Sequence, residues 1–166
     1  SRKPTGTLIA DNLLPGRNLY LLATGTGLAP FMSIIKDPDI YEQFDRIILT
    51  HGVRYESELA YQSFIRDHLP QHEYFGEVVR DKLTYYPTVT REKYENQGRL
   101  TDLIRSGKLM ADIGLPALNP EHDRFMLCGS PAMLKDSCTL LDSLGFRETR
   151  AGEYGHYVIE RAFVEH

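Results

Sequence analysis

Tryptophan is absent from the 166 residues, and cysteine appears only twice. Cys128 and Cys138 are too few for a disulfide scaffold or a zinc cluster, and they point to a reducing, cytoplasmic compartment. No apolar run approaches the roughly 20 residues that a membrane-crossing helix needs. No charged-then-apolar signal sequence opens the chain. Positive charge is not in excess: 19 Lys and Arg stand against 23 Asp and Glu, a net charge of −4. The balance argues against nucleic acid or an anionic membrane as a partner held by overall charge, so any anion site must come from locally placed arginines. No metal cluster is expected. Internal repeats and low-complexity tracts are also missing.

What remains is the composition of one globular domain, 42% hydrophobic and 25% charged, long enough for a sizeable core. Compact apolar runs alternate with amphipathic stretches. "NLYLLAT", "RIILTHG", "LTYYPTVT", "DRFMLCG" and "HYVIERAF" read as strands. "PFMSIIK", "ESELAYQSFIRDHL", "EYFGEVVRDKL", "RLTDLIRSGKL" and "SPAMLKDSCTLLDSLG" read as helices, the last with Pro131 in its first turn. "DIGLPALNPEHD" reads as loop. This order predicts an α/β fold: a doubly wound, mainly parallel five-stranded sheet with helices on both faces. Continuous rather than alternating apolar runs suit strands buried on both sides.

In such sheets ligands sit beyond the carboxyl ends of the strands. The first strand runs into "ATGTGLAP", where Pro30 occupies the place of the third glycine of G-x-G-x-x-G. No Lys-Ser or Lys-Thr follows, so this is not a Walker loop. Gly25 and Gly27 either open backbone N–H groups to a diphosphate or simply make a tight βα turn. Arg54, Arg91 and Arg99 either form a phosphate-monoester site or are three solvated surface arginines; together with the lack of an acid before Arg54 they favour NADP(H) over NAD(H). Cys128 stands at a strand end before Gly129, and no histidine is paired with it by any motif, which rejects a cysteine hydrolase.

Taken in order, "ATGTGLAPF", "HGVRYESELAY", "YYPTVTRE", "QGRLTDLIRSGKL", "IGLPALNPEHDRFMLCGSPAML" and "YVIERAFVEH" resemble the NADP-binding half of a bacterial ferredoxin/flavodoxin–NADP reductase, the subclass whose tail ends in Ala-Phe-Val-Glu-Lys. Here the last residue is His166. The resemblance implies an enzyme in which NADPH gives a hydride to FAD and electrons leave singly to ferredoxin or flavodoxin. It implies that residues 1–15 are a linker from an N-terminal FAD-binding β-barrel absent from this sequence, and that residues 16–166 form the NADP(H)-binding domain with a flavin-covering tail. Thr24, Gly25, Thr26, Gly27 and Pro30 would surround the pyrophosphate. Val53, Arg54, Thr90, Arg91 and Arg99 would take the adenosine end and its 2′-phosphate. Gly129, Ser130, Pro131 and Met133 would border the nicotinamide. Cys128, Glu160 and Ala162 would shape the hydride-transfer site, and Phe163 would pack on the FAD adenine. The alternatives are the nucleotide-binding domain of another flavin-dependent reductase, of the oxygenase-reductase type, and a catalytically incomplete NADP-binding module.

Overall fold

A computed structural model describes residues 12–160 of the chain. Five strands, β1 (Asn18–Thr24), β2 (Arg46–Val53), β3 (Leu83–Val89), β4 (Asp123–Cys128) and β5 (Tyr157–Ile159), form one sheet in the order β3-β2-β1-β4-β5. All neighbouring pairs are parallel. The expected architecture is therefore the observed one. Parallel pairing requires each connection to cross back over the sheet, and the crossovers cover both faces.

Side chains of β1 alternate between two cores. Leu19, Leu21 and Ala23 join Ile47, Leu49 and Met126 under α1 (Ala29–Ile35), α2 (Pro38–Gln43) and α3 (Gly76–Lys82). Tyr20 and Leu22 join Ile48, Phe125 and Leu127 under α4 (Leu100–Arg105), α5 (Lys108–Ile113) and α6 (Pro131–Ser143). The chain thus winds one way from β1 to β3 over the first face and the other way from β3 to β5 over the second. The reversal lies between β1 and β4, where Ala23 pairs with Cys128. Pro87 sits in β3 without penalty to a central ladder, because β3 is an edge strand.

Besides α2, which no stretch read as helix anticipated, the structure differs from the sequence expectation in three places. Residues 56–69 are not one α-helix. A 3₁₀ turn (Glu56–Glu58) is followed by Tyr61 at φ 66°, then by a π-type turn (Phe64–His68). Leu59 is drawn out of helical geometry into a small core with Val53 and Val89, so tertiary burial overrides local propensity. The helix expected over "RLTDLIRSGKL" ends at Arg105, and α5 begins after Gly107, whose φ of 83° breaks the helical path. That second helix reaches into the stretch read as loop, and Leu109 and Met110 bury in the core.

Residues 12–15 are tied to the sheet. Leu13 is buried, the Leu14 N–H donates to the Gly155 carbonyl, and the Arg124 guanidinium donates to the carbonyls of Leu14 and Pro15. The same guanidinium reaches the carbonyls of Pro120 and Asp123. Arg124 is only 3% exposed, so this buried cation spends its donors on backbone oxygens. No described helix is long and apolar enough to cross a membrane.

Candidate nucleotide-binding cleft

The carboxyl ends of β1, β2 and β4 open into a cleft of about 740 Å³, within the range of small-molecule sites. Thr24, Gly25, Thr26 and Gly27 form its floor, Gly52, Val53, Arg54 and Glu58 one wall, and Thr90 and Arg99 the rim beyond. Gly129, Ser130 and Met133 close the opposite side.

The glycine loop is placed by contacts on two sides. Behind it, a Cβ on Gly27 would stand 2.4 Å from the Cys128 carbonyl oxygen, so the loop lies directly on the end of β4. Below it, Nε2–H of the fully buried His51 donates to the Gly25 carbonyl at 2.8 Å. A carbonyl can only accept, which fixes the proton on Nε2 and leaves Nδ1 buried without a partner among the described residues. Burial holds the His51 ring below the usual histidine range. Gly25 itself has φ 54° and open space where a Cβ would be. An exposed, side-chain-free backbone at the mouth of a cleft is what a diphosphate cradle requires. On the far wall, Ser130 caps α6 and its hydroxyl accepts the Met133 N–H at 3.2 Å, turning the positive end of a 13-residue helix toward the same space.

The three predicted arginines do not sit alike. Arg54 and Arg99 line the cleft, while Arg91 is exposed outside it. Arg91 still belongs to the same frame, because its N–H donates to the Arg54 carbonyl at 2.9 Å, next to the Thr90 N–H on the Val53 carbonyl at 3.0 Å. Loop 90–98 then folds back, with the Gly98 N–H on the Val89 carbonyl, and delivers Arg99 to the rim. The Arg99 guanidinium has no ion-pair or hydrogen-bond partner among the described residues.

Arg54 does have a partner. Its Nη2 donates to Glu58 Oε2 at 2.7 Å. Glu58 Oε1 accepts the N–H groups of Arg54 and Tyr55 at 3.0 and 3.3 Å. The Arg54 guanidinium holds the Glu58 carboxyl below its usual range, and Glu58 in turn pushes Arg54 upward. Sequence reasoning looked for an acid before Arg54 and missed this one after it; the i,i+4 spacing was the available signal. It also missed Thr101 and Asp136, which line the cleft and bridge α4 to α6 through a 2.9 Å hydrogen bond. Nothing in the local pattern marks that pair.

Cys128 lies beneath the cleft, 1% exposed, with its thiol pushed up to about 11 by burial and, less strongly, by Glu160. Glu160 follows β5, and its N–H donates to the Leu127 carbonyl at 2.7 Å. Pro30 and Pro131 stand in the first turns of α1 and α6 and do not line the cleft. Ala162 and Phe163 lie outside the described residues.

A family model described as "Oxidoreductase NAD-binding domain" matches residues 21–139. The chain belongs to that family. The NAD-binding family model begins inside β1 and ends in α6, so it spans the whole cleft. The chain is 66% identical over 166 residues to a ferredoxin–NADP reductase of Azotobacter vinelandii and 63% identical to one of Pseudomonas aeruginosa, with 99% of this chain covered in each case. It spans 64% of the length of each of those relatives. Among solved structures, a ferredoxin NADP+ reductase from Neisseria gonorrhoeae with bound FAD and NADP superposes with a TM-score of 0.79 at 27% identity, covering 92% of this chain and 58% of that one. The resemblance read from the sequence motifs is thus the likeness the comparisons report.

Proposed function

We propose that this chain is the NADP(H)-binding portion of a ferredoxin/flavodoxin–NADP reductase that works with an N-terminal FAD-binding domain and donates to ferredoxin or flavodoxin. The observation that carries the reading is the cleft itself: a glycine loop open at Gly25, with Arg54 and Arg99 on one side and the α6 N-terminus on the other, in a chain 66% identical to the Azotobacter reductase.

Thr24, Gly25, Thr26 and Gly27 would hold the diphosphate through main-chain N–H groups, with Pro30 starting the helix behind them. Arg54 and Arg99 would grip the 2′-phosphate, with Arg91 adding positive charge from outside the cleft. Val53 and Thr90 would flank the adenosine. Gly129, Ser130, Pro131 and Met133 would border the nicotinamide. The site beneath suits an apolar ring rather than a nucleophile, because the Cys128 thiol is buried and protonated at neutral pH. Bound FAD would supply the conversion between a two-electron hydride and single electrons. Residues 1–15 would lead in from the FAD domain, and residues 16–166 would be the NADP(H) domain. The thiols of Cys128 and Cys138 accord with a reducing, cytoplasmic setting.

Binding measurements test this. Arg54→Ala should weaken NADP⁺ by roughly tenfold or more, the loss of a charge-assisted phosphate contact, while NAD⁺ changes little. Equal loss for both nucleotides would remove the 2′-phosphate assignment. A second reading, an NADH-dependent flavin reductase, is favoured by one observation, the Glu58 carboxylate in the cleft wall. It predicts the opposite preference in the unmutated protein.

A further inference from the structure

We infer that Glu58 is a positioning residue for Arg54, and that it sets how well the cleft distinguishes a 2′-phosphorylated nucleotide from one with a free 2′-hydroxyl. The inference rests on the proposed NADP(H) reading. Surface ion pairs are ordinarily weak because both side chains move and water screens them. This carboxylate is different in one respect: its Oε1 is fixed to the main chain at two points, the N–H groups of Arg54 and Tyr55. The Glu58 N–H also donates to the Tyr55 carbonyl at 2.9 Å, closing the turn. A second tie on the same turn comes from the loop after β3, where the Glu56 N–H donates to Glu92 Oε2 at 2.5 Å. Oε2 is therefore held in a set place, and among the described residues it engages only Nη2 of Arg54.

A guanidinium has five N–H donors in a rigid plane. One of them on Oε2 orients the plane and leaves four for an incoming phosphate. Without that anchor an exposed arginine, 61% accessible here, would have to be ordered by the nucleotide itself. The anion has a second consequence. It cancels much of the Arg54 charge when no phosphate is present, so a nucleotide without a 2′-phosphate gains little from Arg54. The same carboxylate would thus help the phosphorylated ligand by geometry and leave the other nearly indifferent.

The test uses Glu58→Gln, which keeps an oxygen for the two backbone N–H groups but turns a donor toward Arg54. The probes are 2′,5′-ADP, which carries the 2′-phosphate, and 5′-ADP, which does not, titrated by calorimetry into the unmutated protein, E58Q, R54A and the double variant. The expected result is a 2′,5′-ADP dissociation constant raised on the order of three- to tenfold in E58Q, the ordering cost of one long side chain. The constant for 5′-ADP should stay within about twofold, and E58Q should add nothing in the R54A background. Tighter binding of 2′,5′-ADP by E58Q, an equal loss for both probes, or a full further loss on top of R54A each overturns the inference. If R54A itself fails to discriminate the two probes, the NADP(H) reading falls and this inference with it; a discriminating R54A beside a silent E58Q overturns the inference alone.

Discussion

His51 Nε2–H and the Gly25 carbonyl meet at 2.8 Å, and this contact joins the buried end of β2 to the open loop that begins the cleft. Either protonation state can make it, since both carry Nε2–H, and it is burial that disfavours the charged ring. Burial holds the folded-state value of His51 below the unfolded one near 6.5, so between the two the unfolded chain binds more protons. Stability is therefore complete above about pH 6.5 and declines as the pH falls below it. His156 acts in the same direction, its ring lowered by burial and by Arg124 and Arg147. Urea unfolding at pH 7.5 and 5.5 should show a lower midpoint at the acid pH. His51→Gln, which keeps a donor but cannot titrate, should flatten that dependence in part, leaving the His156 share.

Two glycines of the same loop should respond differently to alanine. At Gly27 the new methyl would meet main-chain atoms, 2.4 Å from the Cys128 oxygen and 2.7 Å from its carbon. Backbone cannot swing aside, and the expected cost is about 1–3 kcal/mol with the cleft distorted. At Gly25 there is open space, and only the left-handed backbone is strained, at about 1–2 kcal/mol. Thermal melts should rank G27A below G25A, while nucleotide titrations should show losses in both.

The Cys128 thiol should be inert. With 1% exposure and a value pushed to about 11, it offers almost no thiolate at pH 8. Labelling with a soluble maleimide followed by peptide mapping should leave Cys128 unmodified in the folded protein and modified in urea. Rapid labelling without denaturant would contradict its placement beneath the cleft.

Arg124 should be among the most sensitive positions for stability. Truncation to alanine removes the donors for the carbonyls of Leu14, Pro15, Pro120 and Asp123 and leaves several of them buried. A loss of about 3–5 kcal/mol is expected, since unsatisfied buried acceptors cost about 1–3 kcal/mol each and some will find water. Arg124→Lys should recover only a minor part, because three donors on one nitrogen cannot span four carbonyls. Chemical denaturation of both variants measures this directly.

The sheet was legible in the sequence because buried parallel strands write themselves as unbroken apolar runs, as in "NLYLLAT". The start of α6 was legible because Ser130 and Pro131 are a cap and a first-turn proline. The stretch from Glu56 to His68 was not. Its apolar spacing mimics a helix, and only the three-dimensional neighbours Val53 and Val89 pull Leu59 out of one. The cleft was half legible. Glycines and arginines at strand ends announce themselves by type, whereas Glu58, Thr101 and Asp136 earn their places from partners that only the fold brings near. Arg91 shows the converse: a residue of the expected type in the expected loop, bonded through its main chain to Arg54 but standing outside the cleft.

That main-chain bond between Arg91 and Arg54 has a bearing on redesign. It staples the exits of β2 and β3 together without using a side chain, so replacing the residues there leaves the loop scaffold as it was. If the proposed NADP(H) reading holds, a switch of nucleotide preference can then be sought as a combinatorial problem of side-chain identity at positions 54, 91 and 99 with no loop grafting, whereas a change at position 58 also removes the carboxylate that holds two main-chain N–H groups.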